Sequence, residues 1–393
     1  MKKIAILGFG VVGSGVAEVL TQNKEIIENR LNEEIEIKYI LDLRDFPDSP
    51  FADKVVHDFN LILNDPEISI VAEMMGGSHP AYDFSKSALL AKKNVVTSNK
   101  EVVSKFGTEL LSIARENGVR YLFEASVGGG IPIIRPIGND LVSNKIESID
   151  GILNGTTNYI LTQMMENGTS FEDALSDAQR KGYAEADPTA DVEGIDAARK
   201  ISILSALSFG VSVSPDHIFR NGITKITTQD FEIAKDLGYT IKLIAHAEQI
   251  DGKVYASVSP RFVPFTNPLA HISDVYNGIL VGANMLDKVL FYGKGAGKLP
   301  TASAVVADIM DIVEKMSNDP VPSISWINAK DTDIADPDSY TSDLYVIFDG
   351  YISHGKYYKD KDMTATLLKS ITMTDAIKQA DAFGTSYKIY PIV

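Results

Sequence analysis

The chain has 393 residues, which at roughly 150 residues per domain suggests two to three domains. Lys plus Arg number 37 against 53 for Asp plus Glu, and the net charge of −16 repels polyphosphate and argues against a general binder of nucleic acid or anionic membrane. There is no cysteine, so disulfides, zinc ribbons, iron–sulfur clusters and a thiol nucleophile are excluded together, and a cytoplasmic protein fits.

Met1-Lys2-Lys3 before an apolar run imitates a secretory signal, but glycines at 8, 10, 13 and 15 interrupt that run. A glycine-rich turn after a buried strand accounts for it better. No apolar stretch approaches the ~20 residues needed to span a bilayer.

Through about residue 125 the pattern alternates strand and helix, as in a Rossmann-type, doubly wound parallel sheet. Strands are expected at 4–7, 35–41, 68–74, 94–97 and 119–125, and helices at 11–20, 80–93 and 101–117. This α/β domain, residues 1–130, is completed by 295–316, which contain a helix at 300–315 with Pro300 at its start. Residues 131–294 read as a second, α+β domain with an antiparallel sheet. Strand-like pieces at 146–153 and 253–263 frame long helices, one at 187–208 with Asp187 as N-cap. Residues 317–393 read as a small C-terminal module with strands at 345–348 and 387–393.

Gly8-Phe9-Gly10-Val11-Val12-Gly13 matches G-x-G-x-x-G with a strand before it and a helix after, the context in which that motif binds a dinucleotide. Gly8 permits the tight turn, Gly10 lets the backbone approach a pyrophosphate, and Gly13 permits close packing of helix on strand. Asp42, near the end of the second strand, suits a ribose hydroxyl, whereas Arg44 suits a 2′-phosphate. The two point to opposite cofactors; the expectation is NADP(H), with NAD(H) as a second.

Asp196 and Lys200 are four apart and share one helix face with Val192, Ile203 and Leu207. A surface ion pair normally lies opposite the apolar stripe, and this one lies within it. The plain alternative is a solvated i,i+4 bridge. A lysine beside a carboxylate can donate a proton to the alkoxide that forms when hydride reaches an aldehyde carbon. The six histidines make no metal-ligand spacing, which argues against a zinc alcohol dehydrogenase.

Gly182-Tyr183 with Glu185, Asp191, Asp196 and Lys200 resembles the signature of homoserine dehydrogenase. So do Asn154-Gly155-Thr156-Thr157-Asn158-Tyr159-Ile160, Thr97-Ser98-Asn99-Lys100, and the stretches 124–132 and 293–302. The resemblance covers residues 1–315. It implies reversible reduction of L-aspartate 4-semialdehyde to L-homoserine with NAD(P)H, in threonine, methionine and isoleucine biosynthesis. It implies Lys200 as proton donor, Asp196 as the carboxylate positioning substrate and lysine, Glu185 as ligand of the substrate ammonium, and Asp191 as a supporting acid. Thr156 lines the substrate pocket, and Lys100 stands beside cofactor and substrate. Phe9, Val12, Arg44, Thr97, Gly182 and Gly297 join the three motif glycines as cofactor contacts. Glu124 with the carbonyls of Val127, Gly129 and Ile131 resembles a monovalent-cation site, taken as sodium because oxygen-only ligation suits a hard cation. The second domain then binds substrate and dimerises, giving a homodimer or dimer-based homo-oligomer whose only other partner is its small-molecule substrate.

Many members of that family carry a C-terminal ACT regulatory domain. Residues 317–393 are short for one, and Asp338 is followed by Ser-Tyr instead of the Pro-Gly that usually opens its first helix. The tail reads as a reduced module supporting oligomer packing, with a helix at 372–382, and threonine feedback is not carried over. Two alternatives stand beside the dehydrogenase. One is a related Rossmann reductase of another amino-acid aldehyde or ketone. The other is a non-catalytic NADP(H) sensor, which has no use for the Glu185, Asp196 and Lys200 set.

Overall fold

The computed structural model describes residues 1–316 and 325–393. The chain groups into two units. One comprises Met1–Ser143, Ala206–Ser212 and Gly293–Asn328; the other comprises Asn144–Ser205, Val213–Tyr292 and Ala329–Val393. No described helix is long and apolar enough to cross a membrane.

The first unit is built on a parallel sheet of six strands: β1 (Lys2–Leu7), β2 (Ile35–Leu41), β3 (Val55–Val56), β4 (Ile68–Glu73), β5 (Asn94–Thr97) and β6 (Tyr121–Leu122). Their order is β3-β2-β1-β4-β5-β6. Ile4, Ala5, Ile6 and Leu7 of β1 are all fully buried, the mark of a strand covered on both faces. The order reverses beside β1, so the carboxyl ends of β1 and β4 open a crevice there. Helix α1 (Val11–Gln22) and the helix Lys298–Lys315 cover one face. They approach closely because Gly15 has no side chain: a Cβ there would lie 3.0 Å from that of Ala302. The strand expected at 119–125 stops at Leu122, and Glu124–Ser126 is a single 3-10 turn.

The second unit holds a mixed six-stranded sheet, ordered Asp287–Lys294, Tyr276–Ala283, Ile146–Ile152, Tyr239–Ile250, Lys253–Pro264, Phe219–Arg220. It is antiparallel from Tyr276–Ala283 through Lys253–Pro264, as expected, with the short edge piece Phe219–Arg220 running parallel. The helix expected at 187–208 is two helices, Thr189–Val192 and Ile195–Phe209. Gly194 separates them at φ +73°, where a Cβ would also meet Val258 at 2.9 Å. Val192 therefore does not continue the face of Asp196 and Lys200. The helix starts one residue later than expected, so Pro188 and not Asp187 takes the N-cap position. The Asp187 carboxylate, one residue further out, accepts from the Thr189 amide at 3.1 Å.

Residues 329–393 group with the second unit instead of standing apart. Four strands, in the order Lys356–Tyr358, Met363–Thr372, Thr341–Asp349, Tyr387–Pro391, pair antiparallel beside the helix Met373–Asp381. This is the strand order of a split β-α-β sheet. Its first crossover is only the loop 350–355, which carries no helix. Lysines fasten this sheet to the acidic helix Thr228–Asp236. Lys388 reaches the fully buried Asp230 at 2.6 Å, Lys361 reaches Glu232 at 2.8 Å, and Lys356 and Tyr358 both reach Asp236. Tyr390 stacks on Phe262 with ring centroids 4.7 Å apart.

Candidate active site

The turn after β1 carries the geometry that its glycines demand. Gly8 has φ +87°, and a Cβ on Gly13 would lie 1.9 Å from the Gly8 carbonyl oxygen. Gly10 meets nothing within 4 Å of its Cβ direction. It is the N-cap of α1 and offers no side-chain cap. No side chain caps the first amides of this twelve-residue helix, an arrangement that suits a pyrophosphate. A cavity of about 470 Å³ is lined there by Gly8, Gly10, Asp42, Arg44, His57 and Met75, among others. Phe9 turns its ring away onto Phe46 and Phe51, and Val12 packs on the core. The residues present fit a dinucleotide.

At the end of β2, Asp42 and Arg44 form one assembly. One carboxylate oxygen accepts the Phe9 amide at 2.8 Å and Arg44 Nη2 at 3.1 Å. The other accepts the Arg44 amide and Nε, both at 3.0 Å. These bonds, led by the guanidinium, hold the Asp42 carboxyl well below the usual carboxylate range. The guanidinium lies over the Phe46 ring at 5.1 Å. His57 is raised from its ordinary value chiefly by its bond to the Asp42 carbonyl.

The carboxyl ends of β4 and β5 meet at Glu73, a residue that pattern reading passed over. Its fully buried carboxyl accepts the Met75 amide and the Thr97 hydroxyl, both at 2.6 Å. Thr97 accepts the Asn99 amide in turn, and Asn99 caps the helix Lys100–Glu116. The Thr97 hydroxyl is therefore committed internally, and only its main chain is left for a cofactor. Lys100, partly buried, opens the helix. An acid closing a buried apolar strand was the available signal. Burial pushes Glu73 up to about 7 from an ordinary 4.5. A raised carboxyl favours folding below the unfolded value, and that contribution is lost as pH rises through about 7. Glu73→Gln is therefore expected to flatten the fall of the thermal midpoint between pH 5 and pH 8. A parallel fall in both proteins would show that Glu73 is not its source.

Glu124 is buried, and its carboxylate accepts the amides of Ile133, Ile134 and Arg135 at 2.5, 2.8 and 2.8 Å. Those bonds bend the chain out of β6, which explains the shortened strand. They also occupy the side chain expected to ligate a cation, so main-chain carbonyls are left for that task. Asp308, on the helix Lys298–Lys315, accepts the Glu124 amide at 2.9 Å. Burial and the neighbouring Glu124 push its carboxyl up to about 8. Gly129 has φ +58° and presses on Gly295, and Gly297 opens the helix Lys298–Lys315 at φ +124°.

In the second unit a different set converges. Lys200 and Asp196, 7% and 6% exposed, pair at 2.8 Å on the helix Ile195–Phe209. Lys200 Nζ also donates to the Leu153 carbonyl at 2.7 Å, at the end of the strand Ile146–Ile152. The neighbouring Asn154 caps the helix Gly155–Asn167 through its amide oxygen. Its Nδ2 donates to Asp191 at 2.7 Å and Asp196 at 3.0 Å. The pair is thus buried and braced, unlike a solvated bridge. Thr156 donates to the Tyr183 carbonyl at 2.6 Å, tying the Gly182–Glu185 turn to this helix start. Gly182 has φ +76°, and Glu185 is exposed on the turn.

The family model described as homoserine dehydrogenase matches residues 132–310, and that of its NAD-binding domain matches residues 8–124. The chain is 41% identical over 348 residues to homoserine dehydrogenase of Lactococcus lactis subsp. lactis, covering 87% of this chain and 81% of that one. It is 44% identical over 319 residues to that of a Synechocystis species, covering 79% and 73%. A solved homoserine dehydrogenase from Thiobacillus denitrificans is similar with a TM-score of 0.89 and 33% identity, covering 100% of this chain and 98% of that one. Together with the dinucleotide turn and the braced lysine, these likenesses mean that the chain belongs to the homoserine dehydrogenases, NAD(P)-dependent oxidoreductases that interconvert L-aspartate 4-semialdehyde and L-homoserine.

Proposed function

We propose that Lys200 is the acid of the reaction and that the enzyme prefers NADPH to NADH. The observation that carries the first reading is the Lys200 ammonium, buried against Asp196 and the Leu153 carbonyl. When bound, NAD(P)H supplies the hydride. Lys200 gives a proton from Nζ to the aldehyde oxygen, and Asp196 steadies the ammonium until then. Asn154 holds Asp191 and Asp196 in register. Glu185, supported by Asp191, takes the substrate ammonium; Thr156 lines the pocket, and Lys100 stands where cofactor and substrate meet. The aldehyde gains one hydride and one proton, and in the reverse direction the neutral Lys200 amine removes the proton from homoserine. Initial rates with aspartate semialdehyde, using NADPH and NADH in turn, test this directly.

The preference for NADPH is supported by how Asp42 is used. Both its oxygens are taken by the chain's own donors. It therefore acts as a mount for Arg44, whose guanidinium keeps donors for a 2′-phosphate. Phe9, Val12, Gly8, Gly10 and Gly13 shape the turn, and the main chains of Thr97, Gly182 and Gly297 complete the cofactor contacts. Arg44→Ala is expected to raise KM for NADPH about ten- to a hundredfold, with KM for NADH changed less than about twofold. Equal losses with both cofactors would remove the 2′-phosphate role.

Sodium, on this reading, sits against the carbonyls of Val127, Gly129 and Ile131 with the buried Glu124 charge behind them. Main-chain oxygen ligands fit a hard monovalent ion. The working form is a cytoplasmic homodimer. Its support is the outer strand Asp287–Lys294, where Leu290 and Tyr292 are exposed beside Met285, 78% exposed, at the hairpin tip.

A further inference from the structure

Three asparagines surround the start of the helix Gly155–Asn167, and two have both ends of their amides in use. Asn154 accepts from the Thr157 amide and donates to Asp191 and Asp196. Asn158 accepts from Lys242 at 3.2 Å and donates to the carbonyls of Ile272, Asp274 and Tyr276. The third, Asn277, is different. It is 1% exposed, and its Oδ1 has no hydrogen-bond partner among the described residues.

That oxygen lies by the first residue of the helix that Asn154 caps. A Cβ on Gly155 would lie 3.6 Å from Asn277 Oδ1 and 2.7 Å from the Val275 carbonyl. Gly278 pairs with Ile152 across antiparallel strands, so Asn277 stands alongside Leu153, whose carbonyl holds Lys200. Asn158 and Lys242 clamp the main chain of 272–276 just before it, and the Asp274 amide donates to Thr162, so the backbone that carries Asn277 is held in place. A buried acceptor without a donor is costly, and native proteins keep such groups chiefly where something else completes them. The missing partner is a donor. The aldehyde oxygen and the carboxylate of the substrate only accept, whereas its ammonium carries three N–H groups and has directions left after one carboxylate has been met.

We propose that Asn277 is a further substrate-binding residue, whose amide oxygen accepts a hydrogen bond from the ammonium of the amino-acid substrate. The inference rests on reading the Asn154–Lys200 cluster as the substrate site. Loss of turnover in a Lys200 variant tests that reading separately. Asn277 selects for an α-amino group and plays no part in hydride or proton transfer.

The test compares wild type with Asn277→Leu, similar in size and without polar atoms, in homoserine oxidation. KM for homoserine is expected to rise about tenfold with kcat and the nucleotide KM held within about twofold. The inhibition constant of 4-hydroxybutyrate, which is homoserine without its amino group, is expected to stay the same in both proteins. The thermal midpoint should not fall, since an apolar side chain suits that burial. Asn277→Asp keeps an oxygen acceptor and is expected to retain the wild-type KM. An unchanged homoserine KM in Asn277→Leu, or equal weakening of homoserine and 4-hydroxybutyrate, overturns the proposal. Should the leucine variant not fold, Asn277→Ser removes the acceptor's reach and is read in the same way.

Discussion

Lys200→Ala is expected to lower kcat for aspartate semialdehyde reduction by about 10²- to 10⁴-fold, the range ascribed to a positioned general acid. The nucleotide dissociation constant should stay put, because the glycine turn that frames the cofactor cavity belongs to the other unit of the chain. The expectation follows from burial. A solvated lysine is readily replaced by water as proton source, whereas this ammonium is enclosed with Asp196 and the Leu153 carbonyl. Its removal has a second consequence. Asp196 is left as a buried charge without its cation, a situation that can cost about 3–5 kcal/mol of stability. The double variant Lys200→Ala/Asp196→Asn removes that charge as well. It should recover thermal stability and remain inactive, which separates chemistry from folding. Turnover within about tenfold of wild type in a folded Lys200→Ala protein would take the proton-donor role away from this residue.

Readings that depended on short-range rules survived into the structure, because the physics they use is local. The β1 strand, the glycine turn and α1 follow one another within about twenty residues, and the tightest approach in the turn, Gly13 on the Gly8 carbonyl, is between residues five apart. The pairing of Asp196 with Lys200 needed only helical periodicity. What escaped was set by partners far along the chain. Glu73 looks like the end of an apolar strand until Thr97 arrives from the next one. Glu124 falls within an expected strand because the three amides that claim it and end the strand lie nine to eleven residues further on. Gly194 reads as helix interior because nothing local announces its left-handed backbone, where a Cβ would meet Val258. Asp42 and Arg44 point to opposite cofactors as sequence, although the side chains bond to each other in the fold. The tail was set apart by composition. Its attachment depends on lysines that find Asp230, Glu232 and Asp236 more than a hundred residues away, where no periodic pattern reaches.

Two glycines of the nucleotide turn should fail in different ways, and the contrast tests the cofactor reading most sharply. At Gly13 an added Cβ would stand 1.9 Å from the Gly8 carbonyl oxygen, far inside contact distance, and the obstacle is backbone that cannot rotate aside. Gly13→Ala must therefore push α1 off the end of β1, where Ile6 and the core beneath are fully buried. Its expected signature is a lowered thermal midpoint together with a nucleotide KM raised by about two orders of magnitude, the scale of loss that a displacement of about 1 Å can bring. At Gly10 a Cβ meets nothing within 4 Å. Gly10→Ala should fold as wild type does and melt at the same temperature without ligand. The methyl group then occupies the space the phosphates need, so added NADPH should no longer raise the midpoint as it does for wild type. If Gly10→Ala kept the full stabilisation by NADPH, the phosphates would have to lie elsewhere, and the uncapped start of α1 would lose its assigned role.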